Sequence, residues 1–154
     1  MKQKKNIFDI ISLECSKKTT KVYSTSFSLA IKLLSKEYQN AIYSIYGFVR
    51  LADEIVDSFH DYNKSQLLNE LRHSTIAALE NNISLNPILN SFQYIVKKYN
   101  IEWELIDSFL NSMEYDLSNQ KCTEKDYKKY IHGSAEVVGL MCLKTFTNNQ
   151  KDQY

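Results

Sequence analysis

Two aspartates four residues apart, Asp53 and Asp57, with Arg50 one turn before them, form the pattern in this sequence most suggestive of chemistry. Residues three and four apart share one face of a helix, so the three side chains project together. Stacked carboxylates repel each other by about 0.2–0.5 kcal/mol in an isolated helix, so a compensating positive charge is expected. Magnesium suits the position, because it takes hard oxygen ligands, commonly one or two carboxylates with substrate phosphates and waters. The alternative is a pair of solvated aspartates, with Arg50 bonded to Asp53 or Glu54 in a surface ion pair of little worth. Spacing alone leaves both readings open. A second stretch, Tyr23-Ser24-Thr25-Ser26-Phe27, sets three hydroxyls and two aromatics just before a helix. Such groups can hydrogen-bond phosphate, and Ser and Thr are equally ordinary helix caps there.

These residues need helices to hold them. Apolar residues at Ile7, Ile10, Ile11 and Leu13 predict a first helix ending near Lys17-Lys18-Thr19-Thr20, and a short segment from Thr25 to Leu34 follows. Ala41, Ile42, Ile45, Phe48, Val49, Ala52 and Val56 recur at three- and four-residue steps and predict a long helix over 37–59, which carries the aspartates. A polar turn at 60–64 precedes a third helix traced by Leu67, Leu68, Leu71, Ile76 and Leu79. Asn86 before Pro87 is a cap and first-position pair opening a helix to about Tyr99, with Asn100 as a stop. Another helix runs over 102–117, and Thr123 with Asp126 resembles a capping box opening a last one to about Phe146.

Three Gly and one Pro in 154 residues are few for a sheet protein, so an all-α, bundle-like single domain of about six helices is expected. The net charge of +1 gives no global field that would draw the chain to nucleic acid or anionic lipid, so charged chemistry must be local. Cys15, Cys122 and Cys142 fit neither a disulfide framework nor a zinc ribbon and read as reduced thiols of a cytoplasmic protein. The basic residues at the start precede an apolar stretch broken by Asp9, Ser12 and Glu14, unlike a secretory leader, and no apolar run is long enough to span a membrane.

Three ordered stretches carry a resemblance to a known family: Tyr23-Ser-x-Ser-Phe27, Ile45-Tyr-Gly-Phe-Val-Arg50 and Ala52-Asp-Glu-Ile-Val-Asp57. Together they resemble the consecutive opening motifs of the squalene/phytoene synthase family. Asp116-Leu117 and the run from Tyr130 through Gly133, Ala135 and Val137 to Met141 resemble that family's central helix. The resemblance implies a helical bundle of the isoprenoid synthase type and a magnesium-dependent transferase. Such an enzyme joins two prenyl diphosphates head to head through a cyclopropyl intermediate, giving phytoene from geranylgeranyl diphosphate, or squalene or dehydrosqualene from farnesyl diphosphate, in carotenoid or terpenoid biosynthesis.

Carried over by residue, the resemblance implies that Asp53 and Asp57 bind magnesium and that Arg50 contacts the diphosphate. Ser24 and Ser26 match hydroxyls near the diphosphates, and Tyr23 stands where relatives often carry His. Phe27, Tyr46, Tyr130, Val138 and Gly139 match pocket-wall positions, with Tyr130 among the catalytic set, and Asp116 supports the diphosphate site. The implied partner is a prenyl diphosphate and no nucleic acid, with peripheral membrane contact through the apolar product. Glu136 departs from the pattern by standing where the family usually has Gly. The family's second aspartate-rich motif lies beyond the Gly139 helix, and Asp152 has no partner four residues away. A partial domain over 1–154, truncated before the C-terminal helices and with weak or no turnover alone, is therefore expected.

Two other readings compete. Glu70-Leu-Arg-His73 has the Glu-x-x-His spacing of di-iron bundles, but that architecture needs a second such motif and two further Glu. A non-catalytic helical module, binding a partner through exposed apolar faces, is the other.

Overall fold

A computed structural model describes residues 2–118 and 130–147. Its elements are α1 (Lys2–Tyr23), α2 (Thr25–Lys32), α3 (Lys36–Asp57), α4 (Lys64–Asn81), α5 (Pro87–Lys98), α6 (Trp103–Leu117), a π-helical turn (His132–Glu136) and α7 (Val137–Phe146). There is no strand among the described residues.

The periodic apolar residues of α3 make it the axis of the fold. Ala41, Ile45, Phe48 and Ala52 are buried along its length, and α1, α4, α5, α6 and α7 all pack on it. Phe48 stacks on Phe92 of α5, ring centroids 4.1 Å apart and planes 2° from parallel, and leans on Phe109 of α6 at 5.8 Å. Each such aromatic pair adds about 0.5–1.5 kcal/mol to simple burial. The core continues through Leu68, Leu71, Leu89, Ile106, Leu110, Val137 and Met141, with Trp103 packed against its edge.

Caps set several boundaries. Asn86 Oδ1 accepts from the Ile88 N–H at 3.0 Å with Pro87 in the first helical position, as expected. Asn63 Oδ1 accepts from the Gln66 N–H at 3.1 Å, so α4 begins at Lys64, ahead of its first apolar residue. Asn100 ends the α5 segment with φ of 48°, a left-handed conformation that Asn tolerates.

Two expectations need correction. Helix α1 does not stop near Thr20 but runs on to Tyr23. The Ser12, Thr19 and Thr20 hydroxyls donate to carbonyls four residues back, at 2.7, 3.0 and 2.9 Å, so these side chains are satisfied inside the helix instead of ending it. Their small size also allows a close crossing: a Cβ added to Gly47 of α3 would lie 2.7 Å from Ser16 Oγ. The last helix is not one continuous α-helix, because the π-helical turn interrupts it and seats Gly133 where an added Cβ would lie 2.6 Å from the Ser108 carbonyl oxygen of α6. The Thr123 and Asp126 capping box, Cys122 and Asp152 lie outside the described residues.

Polar ties complete the scaffold. Arg72 of α4 bonds Asp107, Asn111 (2.8 Å) and Glu114 (3.0 Å) of α6, and Lys144 of α7 pairs with Glu102. No helix of the described residues is long and apolar enough to cross a membrane.

Candidate functional site

Arg50 sits where the end of α1 meets α3. Its guanidinium lies over the Tyr23 ring, 4.2 Å from the centroid, a cation–π contact. Nη2 donates to Glu54 at 2.9 Å, and Nη1 stands 3.9 Å from Asp53. Nε is buried without a hydrogen-bond partner. Of the two arrangements open from spacing, Arg50 thus favours Glu54 for its close bond and holds Asp53 at longer range.

Asp53 is 30% exposed, and its carboxyl is pushed up to about 6. Burial is the main cause; Arg50 opposes it, and the charges of Asp57, Asp116 and Glu54 add to it. Three aspartates from two helices therefore share one field: Asp53 half-buried on α3, Asp57 exposed one turn on, and Asp116 exposed near the end of α6. Burial raises Asp116 as well, the Tyr130 hydroxyl donating to it works the other way, and Asp57 raises it further. Burial followed by the Asp116 charge raises the Tyr130 hydroxyl in turn. Among the described residues no three His, Cys, Asp or Glu side chains converge as a complete ligand set. A carboxylate pair that leaves most coordination positions to water and phosphate is the donor set magnesium prefers, and these residues fit it.

The remaining expected residues divide into two groups. Phe27 meets Tyr46 at a tilt with ring centroids 4.8 Å apart, and Tyr130 approaches Tyr115 at 6.1 Å. Val138 is half-buried against the core, while Gly139 is exposed with nothing within 4 Å of an added Cβ. Ser26 is exposed on α2, whereas Ser24 is the N-cap of that helix, its oxygen accepting from the Phe27 N–H at 3.3 Å. Glu136 faces a polar neighbour: it pairs with His132 at 2.7 Å, both side chains exposed. Glu70 and His73 lie on the solvent side of α4, bonded to Gln66 and to the Asn69 carbonyl.

Glu54 entered the sequence reading only as a candidate surface partner of Arg50, with no place among the site residues. It takes the Arg50 bond and faces the Tyr23 hydroxyl. The Ser58 hydrogen bond, against the opposing effect of burial, and then those from Tyr23 and Arg50 hold its carboxyl below the ordinary value. A signal existed in its four-residue spacing from Arg50, which is the favoured distance for a helical ion pair.

Comparison with known proteins bears on this geometry. The family model for squalene/phytoene synthase matches residues 20–154. The 4,4'-diapophytoene synthase of Staphylococcus haemolyticus is 22% identical over 86% of this chain and 47% of its own length. The presqualene diphosphate synthase of Rhodopseudomonas palustris is 26% identical over 79% of this chain and 44% of its own. Among solved structures, a dehydrosqualene synthase in complex with ligand aligns with a TM-score of 0.77 at 24% identity, covering 89% of this chain and 48% of that one. The squalene synthase HpnC from Alicyclobacillus acidocaldarius aligns at 0.80 and 19%, covering 91% and 53%. The fold is thus the all-helical one of the isoprenoid synthases, and the chain spans about half the length of the relatives it matches. With the family model covering all but the first nineteen residues, the chain belongs to the squalene/phytoene synthase family.

Proposed function

We propose that this chain supplies the first carboxylate half-site of a magnesium-dependent head-to-head prenyltransferase acting on farnesyl or geranylgeranyl diphosphate. The observation that carries the reading is the shared field of Asp53, Asp57 and Asp116 beside an arginine with an unpartnered buried Nε. A buried donor without an acceptor costs about 1–3 kcal/mol, and a diphosphate oxygen would remove that cost. Asp53 and Asp57 would hold magnesium, which when bound supplies positive charge against the departing diphosphate. Arg50, kept in place by Glu54 and Tyr23, would add a second positive charge there. Phe27, Tyr46 and Tyr130 present ring faces that favour an allylic cation and exclude water from it. An apolar C30 or C40 product would leave toward a membrane surface from a protein of the cytoplasm.

Titration calorimetry with a farnesyl thiodiphosphate, with and without magnesium, tests this on the 154-residue protein and its Asp53→Asn, Asp57→Asn variant. Magnesium-dependent binding that the double substitution abolishes is expected. Binding that ignores both magnesium and the substitution would overturn the reading.

A further inference from the structure

Arg50 has two carboxylates within reach on its own helix, Asp53 three residues on and Glu54 four residues on, and it does not divide itself evenly between them. Nη2 bonds Glu54 at 2.9 Å, while Nη1 stays 3.9 Å from Asp53. At 22% and 20% exposed, Arg50 and Glu54 are not a solvated surface pair. Tyr23 braces both partners from the end of α1. Its ring covers the guanidinium, 4.2 Å from centroid to Cζ, and its hydroxyl faces the Glu54 carboxylate as a donor, as Ser58 also does. A carboxylate has room for all of these donors, so Glu54 can hold the arginine while its own position is fixed.

A site that takes a divalent cation and a diphosphate needs both an arginine and an open carboxylate beside it, and the two are at odds. A guanidinium that closes on a carboxylate fills its oxygens with hydrogen bonds and sets a fixed positive charge where the metal would bind. Asp53 is the carboxylate at risk: it shares a helical face with Arg50, is half-buried, and lies only 3.9 Å away. The longer Glu54 side chain, braced from α1, takes the closer bond instead. We infer that Glu54, with Tyr23, is a positioning residue that withholds Arg50 from Asp53 and so leaves the Asp53 and Asp57 pair open to a divalent cation. The inference rests on the magnesium reading proposed above and adds to it a residue that acts through Arg50 and not as a ligand.

Titration of the 154-residue protein with manganese(II) alone, followed by the EPR signal of the free ion, tests this. Glu54→Gln keeps the shape and loses the charge, so Arg50 should turn to Asp53 and weaken manganese binding about tenfold, the lower end for a residue behind the ligands. Tyr23→Phe keeps the ring and loses the hydroxyl, and should weaken binding by less. In an Arg50→Met background no guanidinium remains to close on Asp53, and Glu54→Gln should there change the affinity by about twofold or less. Circular dichroism checks that each variant keeps its helicity; should Glu54→Gln not fold, Tyr23→Phe carries the same comparison in both backgrounds. An affinity unchanged by Glu54→Gln would overturn the proposal. So would an equal loss with and without Arg50, because Glu54 would then act through its own charge. The Asp53→Asn, Asp57→Asn protein separates the two readings. If the parent binds no manganese, or binding survives that double substitution, the metal site fails and the proposal with it. If the double substitution abolishes binding while Glu54→Gln binds like the parent, only the role of Glu54 fails.

Discussion

Replacing Asp53 by Asn should stabilise the protein, and only above a defined pH. A carboxyl moved from 3.8 to about 6 disfavours its charged form in the native state by about 3 kcal/mol. Water reaches a side chain that is 30% exposed, so about 2 kcal/mol is the working figure. The sign follows from proton counting. Between pH 3.8 and about 6 the folded protein holds a proton that the unfolded chain has released, so stability falls as pH rises through that window and stays reduced above it. Asn removes the charge while keeping the shape, and Arg50 retains its closer bond to Glu54. Thermal melts in EDTA should therefore show Asp53→Asn raising Tm by about 4–8 °C at pH 8, at about 2–4 °C per kcal/mol for a domain of this size. At pH 4 the gain should nearly vanish. Magnesium should narrow the difference at pH 8, because a cation at the pair relieves the same repulsion. A variant less stable than its parent at pH 8, or a gain equal at both pH values, would refute the argument that burial and neighbouring carboxylates strain this site.

Three further substitutions test the packing and its polar ties. Gly47→Ala puts a methyl 2.7 Å from Ser16 Oγ and should cost about 1–3 kcal/mol, whereas Gly139→Ala meets nothing within 4 Å and should gain about 0.5–1 kcal/mol; urea melts measure both. Arg72→Met removes the tie to Asp107, Asn111 and Glu114 that joins α4 to α6, and should lower urea stability by about 1–3 kcal/mol without changing the affinity for a prenyl thiodiphosphate.

Much of this was legible in the sequence where one signal dominated. The apolar repeat placed α3 and therefore the shared face of Arg50, Asp53 and Asp57, and Asn86-Pro87 marked a helix start through a cap whose chemistry is local. What failed was what depends on a neighbour. The length of α1 turns on whether Ser12 and Thr20 satisfy themselves within the helix and on whether Gly47 leaves room beside Ser16, and neither shows in a single-helix pattern. The π-helical turn keeps the apolar residues near their helical spacing and registers only through the contact of Gly133 with α6. Ser24 and Ser26 looked alike as hydroxyls, yet only Ser24 is taken up as a cap, which is decided by where α2 begins.

Local charge rules are broken at the site that carries the functional reading. A folded chain gains nothing from leaving Asp53 half-buried within the field of Asp57, Asp116 and Glu54. Along the core local and tertiary preferences agree: apolar stripes face inward, asparagines cap, and Arg72 is met by carboxylates and an amide. Local conflict against a consistent background is what a functional constraint produces. The carboxylates of the site lack compensating positive charge, and the pH dependence of the Asp53→Asn gain measures that deficit directly.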